Sequence, residues 1–234
     1  NLERNIISEL LKKRLMEKAT QGNPYIRQGA ANYSDITPNK KMLFMMGAVK
    51  NNKVNEALNE LAIEVERIKK YGFTPEEFDE IRSNMLKSVK LQIIQAKNQK
   101  STDIVKSCLD HFTTGTPIAP NDFYEQMAIS TLQNLTVDEL NRTALDIFSD
   151  ENILITILGP RKDNIVYPQD EELIATVQNA GKLEITPYVH RVLKATRLMT
   201  QKPQAGTIRE EKKNDIVGTV EWTLSNGAKV IVKS

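Results

Sequence analysis

Scarcities set the first limits on this chain. Of its 234 residues only one is cysteine, one is tryptophan and two are histidine. With Cys108 alone, no intrachain disulfide can form, and a free cysteine of this kind is expected as a small, buried, apolar group. The two histidines, His111 and His190, stand 79 positions apart. Neither is accompanied by a carboxylate and a second histidine at helical ligand spacing, so no zinc site is assembled from them. His111, beside Phe112 at a helix end, reads as a capping or packing residue. No G-x-S-x-G elbow supplies a nucleophile, and Gly115, Gly159 and Gly227 each stand alone, which excludes a glycine-rich phosphate loop. Charge of one sign is also missing, since 32 Lys and Arg face 30 Asp and Glu for a formal charge of +2. With the basic residues interleaved among acidic ones, a nucleic-acid partner is not indicated. No apolar run approaches the ~20 residues that span a bilayer, and no charged-then-apolar leader opens the chain. Asn1-Leu2-Glu3-Arg4 already reads as helix interior, so the natural amino terminus is expected to lie upstream.

What is present is ordinary globular composition, 40% hydrophobic and 26% charged, enough to bury a core. Leu2, Ile6, Ile7, Leu10, Leu11 and Leu15 recur at helical spacing and predict a first helix to about Lys18, stopped by Gly22-Asn23-Pro24. Tyr25 to Ile36 and Met42 to Val49 read as two strands joined by Thr37-Pro38-Asn39-Lys40, an antiparallel hairpin. The second strand is apolar on both faces, which implies either a central strand covered on both sides or a face held against another domain. Its methionines, Met42, Met45 and Met46, are expected to fill core rather than to line a peptide surface. Asn51 and Asn52 can cap a second helix carrying Val54, Leu58, Leu61, Val65 and Ile68, closed by Tyr71-Gly72. Thr74-Pro75-Glu76-Glu77 is a capping box with proline at the first helical position. It opens a long helix with the stripe Phe78, Ile81, Met85, Val89 and Ile93, continuing after a break into Thr102 to His111. Glu76, Glu77, Asp79 and Glu80 are read as first-turn acids complementing the helix dipole.

Asn121 heads a helix with Phe123, Met127 and Leu132, and Thr136-Val137-Asp138-Glu139 repeats the capping box before Leu140, Ala144, Leu145 and Phe148. Ile153 to Leu158 is predicted as an apolar strand ended by Gly159-Pro160. From Arg161 onward the composition becomes that of a linker, with one helix near Asp170 to Asn179 and a charged run at Arg209 to Lys213. Thr219 to Leu224 and Ala228 to Val232 flank Ser225-Asn226-Gly227, a strong hairpin signal. The predicted fold class is therefore α+β, an antiparallel sheet with helices layered on one face, followed by a linker and an isolated hairpin. Such a hairpin is marginal alone and is expected to belong to a domain lying largely outside the chain.

The closing segment Trp222-Thr223-Leu224-Ser225-Asn226-Gly227-Ala228-Lys229-Val230-Ile231-Val232 resembles the opening hairpin of domains in the pitrilysin/insulinase group, peptidase family M16. Upstream, Arg14-Leu15, then Glu17-Lys18, Gly22-Asn23-Pro24-Tyr25, a hairpin, a helix and Gly72-Phe73-Thr74-Pro75-Glu76-Glu77-Phe78 resemble the second half of the domain preceding such an opening. The resemblance covers nearly the whole chain. It implies α+β domains joined by a linker into two bowl-shaped halves that close on an unfolded peptide. The zinc is then held by an H-x-x-E-H motif in the first domain, and that motif does not occur here. On this reading residues 1–160 are the later part of a non-catalytic domain, 161–217 the linker with its short helix, and 218–234 the first hairpin of the next domain. Partners are the remaining domains of the same polypeptide and peptide substrates. No catalytic or metal-binding residue is carried over and zinc is implied only for the full-length protein, so the chain alone is expected to be inactive. Tyr25 can stand for a family tyrosine whose companion arginine is unmatched, which leaves Asn23 and Tyr25 as chamber-facing candidates. Two alternatives remain open: a metal-free peptide-binding or scaffold subunit of the same family, and an unrelated α+β interaction domain.

Overall fold

The computed structural model describes residues 2–37, 40–50, 52–96, 100–149, 151–160, 165–190, 199, 201 and 204–233. Pro38, Asn39, Asn51, Lys97 and Ser234 therefore lie outside the described residues, as do the side chains of Ile93 and Asn121. The chain divides into two compact units, Asn1–His190 and Arg191–Ser234.

In the first unit, α1 (Leu2–Thr20) leads into an antiparallel hairpin of β1 (Ile26–Thr37) and β2 (Lys40–Val49). Then follow α2 (Val54–Tyr71), α3 (Pro75–Ala96), α4 (Ser101–Thr114), α5 (Asn121–Asn134), α6 (Val137–Ile147) and α7 (Asp170–Ala180). The apolar stripe of α1 becomes the centre of the core: Ile6, Ile7, Leu10, Leu11 and Leu15 are all fully buried. Each such aliphatic side chain contributes about 1.5–3 kcal/mol relative to exposure, so α1 supplies more of the fully buried core than any other element. It lies along β1, meets α3 and α6, and brings Leu15 so close to the strand that a Cβ on Gly29 would stand 2.8 Å from the Leu15 carbonyl carbon. Glycine is required at that position by proximity rather than by dihedral angle. Alternation along the hairpin decides which face is covered. Ala31, Leu43 and Met45 face the core, whereas Phe44 and Met46 on the opposite face are 42% and 65% exposed. The helices therefore cover one face of this sheet, as expected for the fold class.

Three local expectations change. Lys53, not an asparagine, occupies the N-cap of α2, and Asn52 instead adopts a positive φ of 57°. Residues 153–158 form no strand: Leu154 and Leu158 are 76% and 92% exposed. Apolar composition alone does not make a strand, because the backbone needs a ladder partner, and β1 and β2 pair only with each other among the described residues. Cys108 is exposed rather than buried, because its helix α4 carries no buried residue. The predicted helix near Asp170 is α7, and it packs against α2 through the buried Leu173 and Ala180.

In the second unit, β4 (Thr219–Leu224) and β5 (Lys229–Lys233) form the hairpin announced by Asn226-Gly227. The charged run before it supplies a third antiparallel strand, β3 (Ile208–Asn214), paired with β4. Its residues are all exposed, so no hydrophobic alternation marked it in the sequence. Among the described residues, no helix is long and apolar enough to cross a membrane.

Candidate functional site

Asn23 and Tyr25 sit in the corner between α1 and β1. The Asn23 side chain is already committed to that corner, since its Oδ1 accepts the backbone N–H groups of Tyr25 and Ile26 at 2.8 and 2.9 Å. Lys50, just beyond β2, closes the same corner by donating its Nζ to the Asn23 carbonyl at 2.7 Å and its backbone N–H to the Tyr25 carbonyl at 2.8 Å. Tyr25 is half-buried against the core.

The histidines are not brought together. His111 in α4 makes a 2.8 Å hydrogen bond between its Nδ1 and the Thr116 carbonyl, whereas His190 places Nε2 3.5 Å from Glu80 Oε2 on α3. Among the described residues no three His, Cys, Asp or Glu side chains are grouped as metal ligands. Among the described residues, no side chains converge as the three protein ligands that a hydrolytic zinc centre needs.

A different cluster dominates the electrostatics of the first unit, and sequence reasoning missed it. Arg14 of α1, Glu64 of α2 and Glu77 of α3 meet in the core with side chains 1%, 2% and 0% exposed. Arg14 grips Glu77 with both arms of its fork, Nε to Oε2 at 2.9 Å and Nη2 to Oε1. It also donates to Glu64 Oε1 at 3.2 Å and to the Gly72 carbonyl at 3.1 Å. Gly72 reaches this position with φ +69°, a backbone conformation that favours glycine. Arg67 holds the other oxygen of Glu64, and Lys18 stands 3.6 Å from it while bonding Glu60 at 2.8 Å. The guanidinium carbon lies 4.8 Å from the centre of the Phe73 ring and 4.2 Å from that of Tyr188, contacts that suit its weak hydration. Burial on its own would lower the Arg14 pKa; the hydrogen bonds and charge of Glu77, then of Glu64, outweigh it and raise the value. Burial, and then the 2.6 Å bond to Glu17, push the Tyr188 phenol upward, so it stays a neutral donor.

This cluster is chemically closed. Its donors are spent on carboxylates and a carbonyl, and it serves to fasten α1, α2 and α3. The signal was present in the sequence: Arg14 falls between Leu11 and Leu15 on the apolar stripe of α1, and Glu64 lies between Leu61 and Ile68 on that of α2. Charges at core positions imply one another.

No protein-family model matches the chain. Two curated relatives do. The chain is 23% identical over 238 residues to the probable zinc protease PqqL of Escherichia coli, covering 98% of this chain and 25% of that protein. It is 21% identical over 174 residues to a zinc protease PQQL-like protein of Arabidopsis thaliana, covering 73% of this chain and 18% of that one. The chain thus spans a quarter or less of the curated relatives it matches. Among solved structures, the periplasmic protease PqqL of E. coli superposes with TM-score 0.66 at 20% identity over 99% of this chain and 26% of its own. The ferredoxin protease FusC, solved with Arabidopsis ferredoxin, gives TM-score 0.68 at 16% identity over 98% and 26%. In fold the chain is similar to a segment of these proteases, and its sequence is similar to theirs at 21–23% identity.

Proposed function

We propose that this chain is a non-catalytic, chamber-forming portion of a zinc-dependent endopeptidase, acting on peptides only together with the rest of its polypeptide. The observation carrying this reading is the mismatch between coverage and chemistry. Similarity to PqqL runs through 98% of this chain but only 25% of that protein. His111 and His190 are the chain's only histidines, and each is engaged on a different helix surface. The hydrolytic ion and the base that activates its water would be supplied by residues outside this chain. Within it, residues 1–160 are assigned to a non-catalytic domain, 161–217 to the connection and 218–234 to the start of the next domain. Asn23 and Tyr25 are assigned to the chamber-facing surface.

The test compares the 234-residue chain with the complete polypeptide, both purified without chelator. The chain alone is expected to hold no stoichiometric zinc by metal analysis and to leave an unstructured fluorogenic peptide intact, whereas the complete protein binds zinc and cleaves it. One tightly held zinc per isolated chain would overturn the assignment, and so would metal-independent cleavage by that chain.

A further inference from the structure

After α7, residues 185–190 run across α1, α2 and α3 as a strap that is neither helix nor strand. No backbone-to-backbone hydrogen bond holds it among the described residues. Its attachments are few and of one kind, each made by a side chain. Tyr71 donates its hydroxyl to the Ile185 carbonyl at 2.8 Å, and Arg67 donates Nε to the Thr186 carbonyl at 2.8 Å. Tyr188 lays its ring 4.2 Å from the Arg14 guanidinium carbon and donates its hydroxyl to Glu17 at 2.6 Å. His190 approaches Glu80 at 3.5 Å. Ile185 is the strap's one buried apolar residue, while Val189 is 74% exposed. Beneath it lies the buried side chain of Arg14, 1% exposed. Segments with few buried apolar contacts and no backbone ladder open at lower free energy than the core they cover.

We propose that Ile185–His190 is a releasable clasp, which leaves α1–α3 without unfolding the core and is held chiefly by the Tyr188 ring on Arg14. The inference stands on the first unit alone and does not depend on the peptidase reading. Its consequence is one of reach. While docked, the clasp pins the chain as far as His190; once released, residues 185–190 become free chain that reaches at most roughly 20 Å at full extension. Tyr188 is thus placed to set how much slack precedes the second unit.

Limited trypsin digestion of the full 234-residue chain, with cleavage sites read by mass spectrometry, tests this. Lys182 lies between α7 and the clasp, and cleavage after it requires the neighbouring residues to open; its rate then follows the open population. Tyr188→Ala is expected to speed that cut by about tenfold or more with the helical circular dichroism unchanged, which corresponds to a shift in opening of about 1.4 kcal/mol. Tyr188→Phe keeps the ring and is expected to stay within a few fold of the parent. An unchanged rate in Tyr188→Ala would overturn the clasp. Loss of helical signal in Tyr188→Ala would show that the strap cannot be parted from the core and overturn its release. Equal acceleration in both variants would move the hold from ring to hydroxyl and overturn the role given to the ring.

Discussion

Arg14 carries a full charge into a site where 1% of its side chain meets solvent, and Glu77 opposite it is not exposed at all. Burying two such ions is expensive, and their attraction offsets that only because the fork geometry is bidentate and the remaining donors find Glu64 and the Gly72 carbonyl. Removing the cation leaves Glu77 buried with only the Thr74 backbone N–H, at 2.7 Å, to offset its desolvation. Arg14→Ala is therefore expected to destabilise the first unit by about 3–5 kcal/mol in urea denaturation. Arg14→Lys keeps the charge but loses the fork and the planar group that meets the Phe73 and Tyr188 rings, and should fall between the parent and Arg14→Ala. A loss below about 1 kcal/mol for Arg14→Ala would mean that water reaches these carboxylates.

Among the elements, α6 gives the cleanest case of sequence dictating a boundary. Thr136 accepts the Glu139 backbone N–H, and Glu139 reaches back to the Thr136 N–H at 2.9 Å, the reciprocal capping box its spacing announces. Thr136→Ala is expected to cost about 1 kcal/mol in thermal or urea unfolding. The Glu139 carboxyl is held below its ordinary value, first by the Thr136 backbone N–H and then by the hydroxyl. Its folded pKa is depressed, so its contribution is complete above the unfolded carboxyl range and disappears as pH falls through the folded value. The gap between the parent and Thr136→Ala should accordingly narrow below about pH 4, near the ordinary glutamate range. The same local logic made α1, α2, α3, the first hairpin and the β4–β5 turn legible, because caps, stripes and Asn-Gly turns act within a few residues. What lay beyond it depended on partners distant in the chain. Residues 153–158 have strand composition but no partner strand among the described residues, β3 is a strand only because β4 lies beside it, and Glu77, which does cap α3 by accepting the Thr74 N–H at 2.7 Å, also meets Arg14 from 63 positions away. For the candidate site the balance was poorer. Asn23 and Tyr25 were singled out by resemblance, while the charges that organise the first unit could be seen only as misplaced residues on apolar stripes.

At the scale of the whole molecule, the two units differ in what they bury. The described helices and buried aliphatic residues belong to the first, whereas no described residue of the second is fully buried. A three-stranded sheet so open has little apolar burial to oppose chain entropy. Trp222, the chain's one tryptophan, lies in β4 and bonds Glu211 of β3 at 2.9 Å. Its fluorescence therefore reports the second unit and helical circular dichroism the first. In a urea titration the fluorescence transition is expected at lower denaturant than the loss of helix, and superimposed curves would mean one cooperative unit instead of two. The exposed Cys108 on α4 has a consequence at this scale as well. With one accessible thiol in these 234 residues, air oxidation can couple two copies of the chain at a single point and then has no thiol left with which to continue. Covalent assembly must end at a pair, and a maleimide dye or surface linker would attach every molecule by the same residue and in the same orientation.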